Sequence, residues 1–428
     1  MAATPRPRRL SPAEAVSLIR PDDQVSIAQA EPEALIQALI ADRERLRGLR
    51  LLVAPVLGKG SYAAPDVVES FAITTLYVGG VLRRAVRAGA VDYIPTSQVE
   101  LLRLVQLGRV APSVVVAHVA EPDDRGYAFG LMADWNLAVA KGARLVIAQV
   151  NPNMPRTRGD NRLTAEDVDV VVEVDEPLIE SPVPEVGPVE RRIGEHVAGL
   201  VPDGATIETG IGAIPAAVAQ GLSGHRDLGV HTATFTDALR DLYEAGVVTN
   251  QLKEIDAGKM VAAAIMGTRD FYAWLHENPV IEAHLPTYVH AIATLTRFRR
   301  LIALNSAIEV DLTGQVNAEA IGGWPIATVG GGVDFARGAM ANPESKSIIA
   351  LPSMAGSASR IVPAIAAGQP VTYARHDVHY IVTEYGVADI RGRPLRERAA
   401  LIAELAHPDH RDALREAARR FPPGGLPT

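Results

Sequence analysis

The chain has no cysteine among its 428 residues. That absence excludes disulfides, thiolate metal sites and a cysteine nucleophile. It also fits a reducing compartment, so a cytoplasmic location is expected. Aromatic residues are scarce, at 5%. No apolar run approaches the ~20 residues of a membrane helix; stretches such as Leu145–Val150 are strand-length. The first residues, MAATPRPRRLSPAEA, are basic but precede no apolar core, so they do not read as a secretory signal. Positive charge is not in excess either: 42 Lys and Arg stand against 50 Asp and Glu, for a net charge of -8. Nucleic acid is therefore not an expected partner, although a local cleft can still hold an anion.

Metal-ligand spacing is missing as well. His376 and His379 flank Asp377, but on a strand Val378–Val382 that starts so early, i, i+3 positions point to opposite faces. His407 and His410 share the spacing, and Pro408-Asp409 between them reads as a turn. No metal site is expected. His290, Trp274 and Trp324 read as core or surface residues and receive no role.

What is present is an α/β pattern. A chain of this length carries two domains as the prior. Short Val/Ile/Leu-rich runs recur at Leu51–Val56, Thr75–Val78, Ser113–Val119 and Leu145–Val150, without alternation, as in strands buried on both faces. Helical patterns such as Glu33–Ile40 and Val189–Leu200 lie between them. Strands alternating with helices predict mainly parallel sheets flanked by helices. The stretch from Asp175 to Pro188 holds four prolines and one glycine and reads as a linker. The expected division is an N-terminal α/β domain over 1–180 and a C-terminal one over 189–428, with a cleft between them as the expected ligand site.

The halves share a faint repeat. Ile19–Ile27 and Leu200–Ile207 each read as a helix end, a Pro-Asp turn and a strand, followed by a small-residue loop and a helix. In the second copy Gly210 and Gly212 lie between the predicted strand Ala205–Glu208 and the helix Pro215–Gly221, where backbone can approach an anion at a helix N-terminus. Pro215 takes the place of the third glycine of a dinucleotide fingerprint, and no Walker loop is present. A second cluster, Gly330-Gly331-Gly332, sits between apolar residues. Its unshielded N–H groups are suited to a developing oxyanion.

Just before that cluster, Asn305-Ser-Ala-Ile-Glu-Val-Asp-Leu-Thr-Gly-Gln-Val-Asn-Ala-Glu319 resembles the signature segment of the acetyl-CoA hydrolase/transferase family. Lys346–Ser353, Ser359–Val362, Val382–Asp389, Gly258–Val261, Met266–Thr268, Ile147–Thr157 and Asp92–Pro95 look like it too. The resemblance covers about residues 10 to 420. It implies two tandem CoA-transferase-type domains with the active site between them, a coenzyme A thioester as substrate, no permanently bound cofactor and a homodimer. It also implies a glutamate that attacks the acyl-CoA thioester, giving a mixed anhydride and then a glutamyl-CoA thioester.

The resemblance maps the family's oxyanion glycine to Gly331, with Gly330 and Gly332 beside it. It maps an asparagine in Asn-Pro context to Asn278, the strand-end glycines to Gly210 and Gly212, and the basic residue of the Lys-Ser pair to Lys346. The glutamate is missing. Gly229-Val-His-Thr-Ala-Thr-Phe-Thr-Asp-Ala238 aligns with the family's His-Thr-Glu-Met segment and puts Ala233 at its place. The candidates to replace it are Glu208, at the end of the neighbouring strand, and His231 and Asp237, close in sequence. The leading expectation is an acyl-CoA enzyme that hydrolyses the thioester or passes the acyl group directly to a small acceptor. The alternatives are a CoA-transferase with a relocated carboxylate, and a non-catalytic acyl-CoA binder or partner subunit.

Overall fold

The computed structural model describes residues 7–182 and 184–420. They pack into two compact units. The first is built from the chain up to Ser181, together with Ala262–Tyr288 and Pro325–Thr328. The second takes Pro182–Val261, Val289–Trp324 and the chain from Val329 onward. Among the described residues no helix is long and apolar enough to cross a membrane.

The first unit's sheet has eight strands: β1 (Arg8–Arg9), β2 (Gln24–Ile27), β3 (Leu49–Val53), β4 (Phe71–Thr75), β5 (Asp92–Tyr93), β6 (Val114–Val119), β7 (Leu145–Val150) and β8 (Val170–Glu173). Their order is β1-β8-β7-β6-β2-β3-β4-β5, and every neighbouring pair runs parallel. The apolar runs are explained by cover on both faces. Val114 and Val116 join one core with Val25, Leu51 and Ile147. Val115, Ala117 and Val119 join another with Leu52, Val146 and Ala148. Successive side chains leave a strand on opposite faces, so a strand with two cores is apolar on both faces along most of its length.

The predicted strand Leu145–Val150 coincides with β7. Two others are displaced. β3 starts at Leu49 and stops before Pro55, which can donate no ladder hydrogen bond. The predicted strand at 75–78 lies instead at Phe71–Thr75, paired from Leu49↔Phe71 to Val53↔Thr75. There the Thr75 hydroxyl donates to the Tyr77 carbonyl at 2.8 Å and accepts the Tyr77 N–H at 3.1 Å, turning the chain.

Within the second unit the main sheet takes the strands β9 (Thr206–Thr209), β10 (Gly229–Phe235), β11 (Leu301–Ser306), β12 (Lys346–Ala350), β13 (Tyr380–Thr383) and β14 (Gly386–Asp389). They run in the order β10-β9-β11-β12-β13-β14. The first five are parallel and β14 is antiparallel to β13. The helix Pro188–Ala198 opens with proline at its first position, where the missing N–H costs nothing. It buries Ile193, Gly194, Val197 and Ala198. These positions form one stripe at helical spacing.

That stripe lies on the helix Ala213–Gly221 at very short range. A Cβ added at Gly194 would stand 2.6 Å from the Ala217 carbonyl oxygen. Two effects therefore compete in Gly194→Ala. Alanine is the better helix former by about 1 kcal/mol. Overpacking against a backbone atom costs about 1–3 kcal/mol. The second is expected to win, so Gly194→Ala lowers the urea midpoint with an unchanged slope. A raised midpoint would mean that the two helices slide apart freely.

Candidate active site

A parallel sheet leaves a crevice outside the carboxyl ends of its strands where the strand order reverses. The second unit's order reverses between β9 and β11. The residues at those strand ends are Glu208 and Thr209 on one side and Asn305 on the other.

Register decides which side chains share a face. Thr206 pairs with Gly229 and Ile207 with Val230, and Glu208 pairs with Ala303. Paired residues of parallel strands point the same way, and so do residues two apart. Glu208, His231, Ala233 and Asn305 therefore lie on one face. Beyond Val230 the β9–β10 ladder opens. The Thr232 hydroxyl accepts the Thr209 N–H at 3.2 Å and donates to the Thr209 carbonyl at 2.9 Å.

The glycine cluster closes over this face. Gly330 has a φ of +61°, a region that side chains other than glycine rarely adopt. Gly331 caps the helix Gly332–Met340, and a Cβ there would lie 2.0 Å from Cε1 of His290. At Gly332 a Cβ would lie 2.0 Å from the Tyr373 hydroxyl and 2.3 Å from Oδ1 of Asn305. The helix end thus rests on a polar floor made by His290, Asn305 and Tyr373.

Burial dominates the titration of that floor. Glu208 is 2% exposed, and its carboxyl is raised to about 8, with only the Leu304 backbone N–H acting the other way. Its Oε2 has no hydrogen-bond partner among the described residues. Burial lowers His290 to about 4. Tyr373 is raised well beyond the ordinary phenol range by burial, then by negative charge on Glu208, Glu319 and Asp334. Burial thus favours the uncharged form of the acid, the imidazole and the phenol alike.

Of the other expected residues, His231 shares the face of Glu208, and Gly210 follows directly on the end of β9. His231 is fully buried, its Nε2 is 2.8 Å from the Val289 carbonyl, and its ring lies 4.8 Å from Phe298. Asp237 opens the helix Asp237–Glu244 and lies 3.6 Å from Arg240. Gly212 has a φ of +117°, and a Cβ at Gly210 or Gly212 would meet nothing within 4 Å. Lys346 pairs with Ile302 at the amino end of its strand, far along the sheet from Asn305, and donates to the Leu200 carbonyl at 2.6 Å. Asn278, in the first unit, shapes a turn by donating to the Trp274 carbonyl and accepting the Val280 N–H.

Sequence reasoning missed His290, Asn305 and Tyr373 as partners of the glycines. It also missed a second site. The first unit's order reverses between β2 and β6, and a cavity of about 210 Å³ opens at that place, lined by Ala30, Glu31, Leu57, His118, Leu131 and Glu176 among others. Glu31 accepts the Tyr62 hydroxyl at 2.6 Å and the Gly60 N–H at 2.8 Å. Burial still raises its carboxyl, and a Cβ at Gly58 would stand 2.2 Å from it. His118 is buried and lowered to about 4. The segments flagged as a repeat end in β2 and β9, which hold the same topological place beside each reversal. Among the described residues no cluster of three His, Asp or Glu could hold a metal ion.

Residues 5–182 match the model of the acetyl-CoA hydrolase/transferase N-terminal domain, and 267–418 that of the C-terminal domain. A 4-hydroxybutyrate coenzyme A transferase of Clostridium kluyveri is 41% identical over 95% of this chain and 96% of its own length. A succinyl-CoA:cyclohexane-1-carboxylate CoA transferase of Geobacter metallireducens is 36% identical over 97% and 96%. The crystal structure of RipA from Yersinia pestis superposes with a TM-score of 0.89 at 35% identity, covering 96% of this chain and 97% of RipA.

A buried carboxyl held at about 8 is also a statement about stability. The folded state keeps its proton while the unfolded chain loses it from about pH 4.5 upward. Folding is therefore unpenalised below 4.5, loses about 1.4 kcal/mol per unit from there to 8, and levels off above. Glu208→Gln has no proton to lose. It should match the wild type in urea denaturation near pH 4.5 and exceed it by a few kcal/mol at pH 8.5. Equal gaps at both pH values would mean that Glu208 is ionised in the native protein.

Proposed function

Since the chain belongs to the acetyl-CoA hydrolase/transferase family, we propose that it takes an acyl-CoA thioester and attacks it without a glutamyl-CoA intermediate. With alanine at 233, water or a small acceptor is the nucleophile. Ionised Glu208 takes its proton as the new bond to the carbonyl carbon forms. Collapse of the tetrahedral intermediate breaks the C–S bond and returns that proton to the departing CoA thiolate. The N–H groups of Gly331 and Gly332, at a helix N-terminus, face the developing oxyanion.

The observation that carries this reading is the Glu208 carboxyl, buried on the same face as Ala233 and raised to about 8. At neutral pH only about a tenth of it is ionised, which makes a poor standing nucleophile. A base with its pKa close to the working pH is well matched to proton transfer. Remote contacts to the CoA would then position the thioester. A second reading has support from the names of the two relatives given above, both of which are transferases. In it Glu208 itself attacks the thioester and a carboxylate collects the CoA.

Mass spectrometry of a short acyl-CoA panel, with and without acetate, separates the two. Free CoA without acetate supports the first reading. New CoA thioesters formed only with acetate, with a glutamyl adduct trapped by hydroxylamine, support the second. For the first, kcat/KM should rise about tenfold per pH unit up to about 8 and then level off, and Glu208→Gln should cost about 10²–10⁴. Silence of the wild type with CoA transfer by Ala233→Glu would sink both and leave an acyl-CoA binder.

A further inference from the structure

The first unit holds a larger cavity, of about 770 Å³, that neither reading uses. Its walls are the helix Glu33–Ala41, the segment 59–68 and the short helix Arg83–Arg87 with the residues after it. Its volume is in the range that holds a drug-sized ligand. Small apolar side chains, among them Ala63, Ala64, Val81 and Ala85, cover most of it.

The charged residues lining it are Lys59, Arg84 and Asp66, an excess of one positive charge. Arg84 is exposed, and its guanidinium makes no ion pair or hydrogen bond among the described residues. Lys59 has Glu33 at 4.0 Å and is 64% exposed, so that pair is weak. Of the polar side chains, the Ser61 hydroxyl is already donated to Glu33 at 2.9 Å. An apolar body with few hydrogen bonds and one anionic end fits this lining; a polyhydroxylated or multiply charged ligand does not.

We propose that this cavity binds a medium-chain monocarboxylate, its chain along the alanines and its carboxylate on Arg84 and Lys59. Lys59 also lines the smaller cavity at the strand-order reversal. The bound carboxylate is thereby in electrostatic contact with that pocket, though the site itself is separate and does not depend on the proposed reaction.

Isothermal titration of the whole protein with octanoate is the test, with octanol, acetate and octanoyl-CoA as comparisons. Octanoate should bind saturably at one site per chain, octanol and acetate at least tenfold more weakly. Arg84→Ala should weaken octanoate about tenfold, as removal of a charge-assisted contact does. Ala64→Phe and Ala88→Phe each fill the cavity from a different wall and should remove the binding. Their thermal midpoints show whether they are folded. Absence of saturable octanoate binding overturns the proposal, and so does binding that survives both filling variants. Binding of octanoyl-CoA alone, lost in the filled variants, overturns it too and assigns the cavity to the acyl chain of a thioester.

Discussion

A parallel sheet is wound by crossover connections that cover its faces, and where the winding changes direction no connection can cover the strand ends. Both units obey that constraint. The reversal between β9 and β11 brings Glu208 beside Asn305. The one between β2 and β6 brings Ala30 and Glu31 to the same cavity as His118. The glycines follow from it. A crevice at strand ends is useful only if backbone can come close, and Gly58, Gly331 and Gly332 stand where a side chain would strike Glu31, His290, Asn305 or Tyr373.

Desolvation outweighs every other influence on Glu208, His290 and Tyr373. The protein tolerates the burial by keeping them neutral, which is far less costly than burying an unpaired charge. A thioester carbonyl is neutral as well. In the proposed reaction, a floor without fixed charge accepts it and still offers a proton site when the tetrahedral oxyanion and the thiolate form.

The sequence is most legible where one strand carries its own signal. The run Leu145–Val150 is apolar because both cores need it, and Pro188 starts a helix because its ring suits a first turn. Legibility fails where meaning comes from a partner distant in the chain. Nothing near Gly332 announces Tyr373, and nothing near Glu31 announces Gly58. Glu208 stood out from its place at a strand end, but its neutral state needed the burial to be seen. Lys346 is recognisable from its motif, whereas its place at the amino end of its strand, paired with Ile302, comes only from the register.

The units do not correspond to two lengths of chain. After Ser181 the polypeptide returns to the first unit for Ala262–Tyr288 and again for Pro325–Thr328. The Ala133 N–H bonds the Ala263 carbonyl at 2.8 Å, so the return is stitched in by backbone. A cut in the 175–188 linker would put Ala133 and the Ala263 carbonyl that it bonds on separate fragments. The chain before the linker therefore does not by itself complete the first unit.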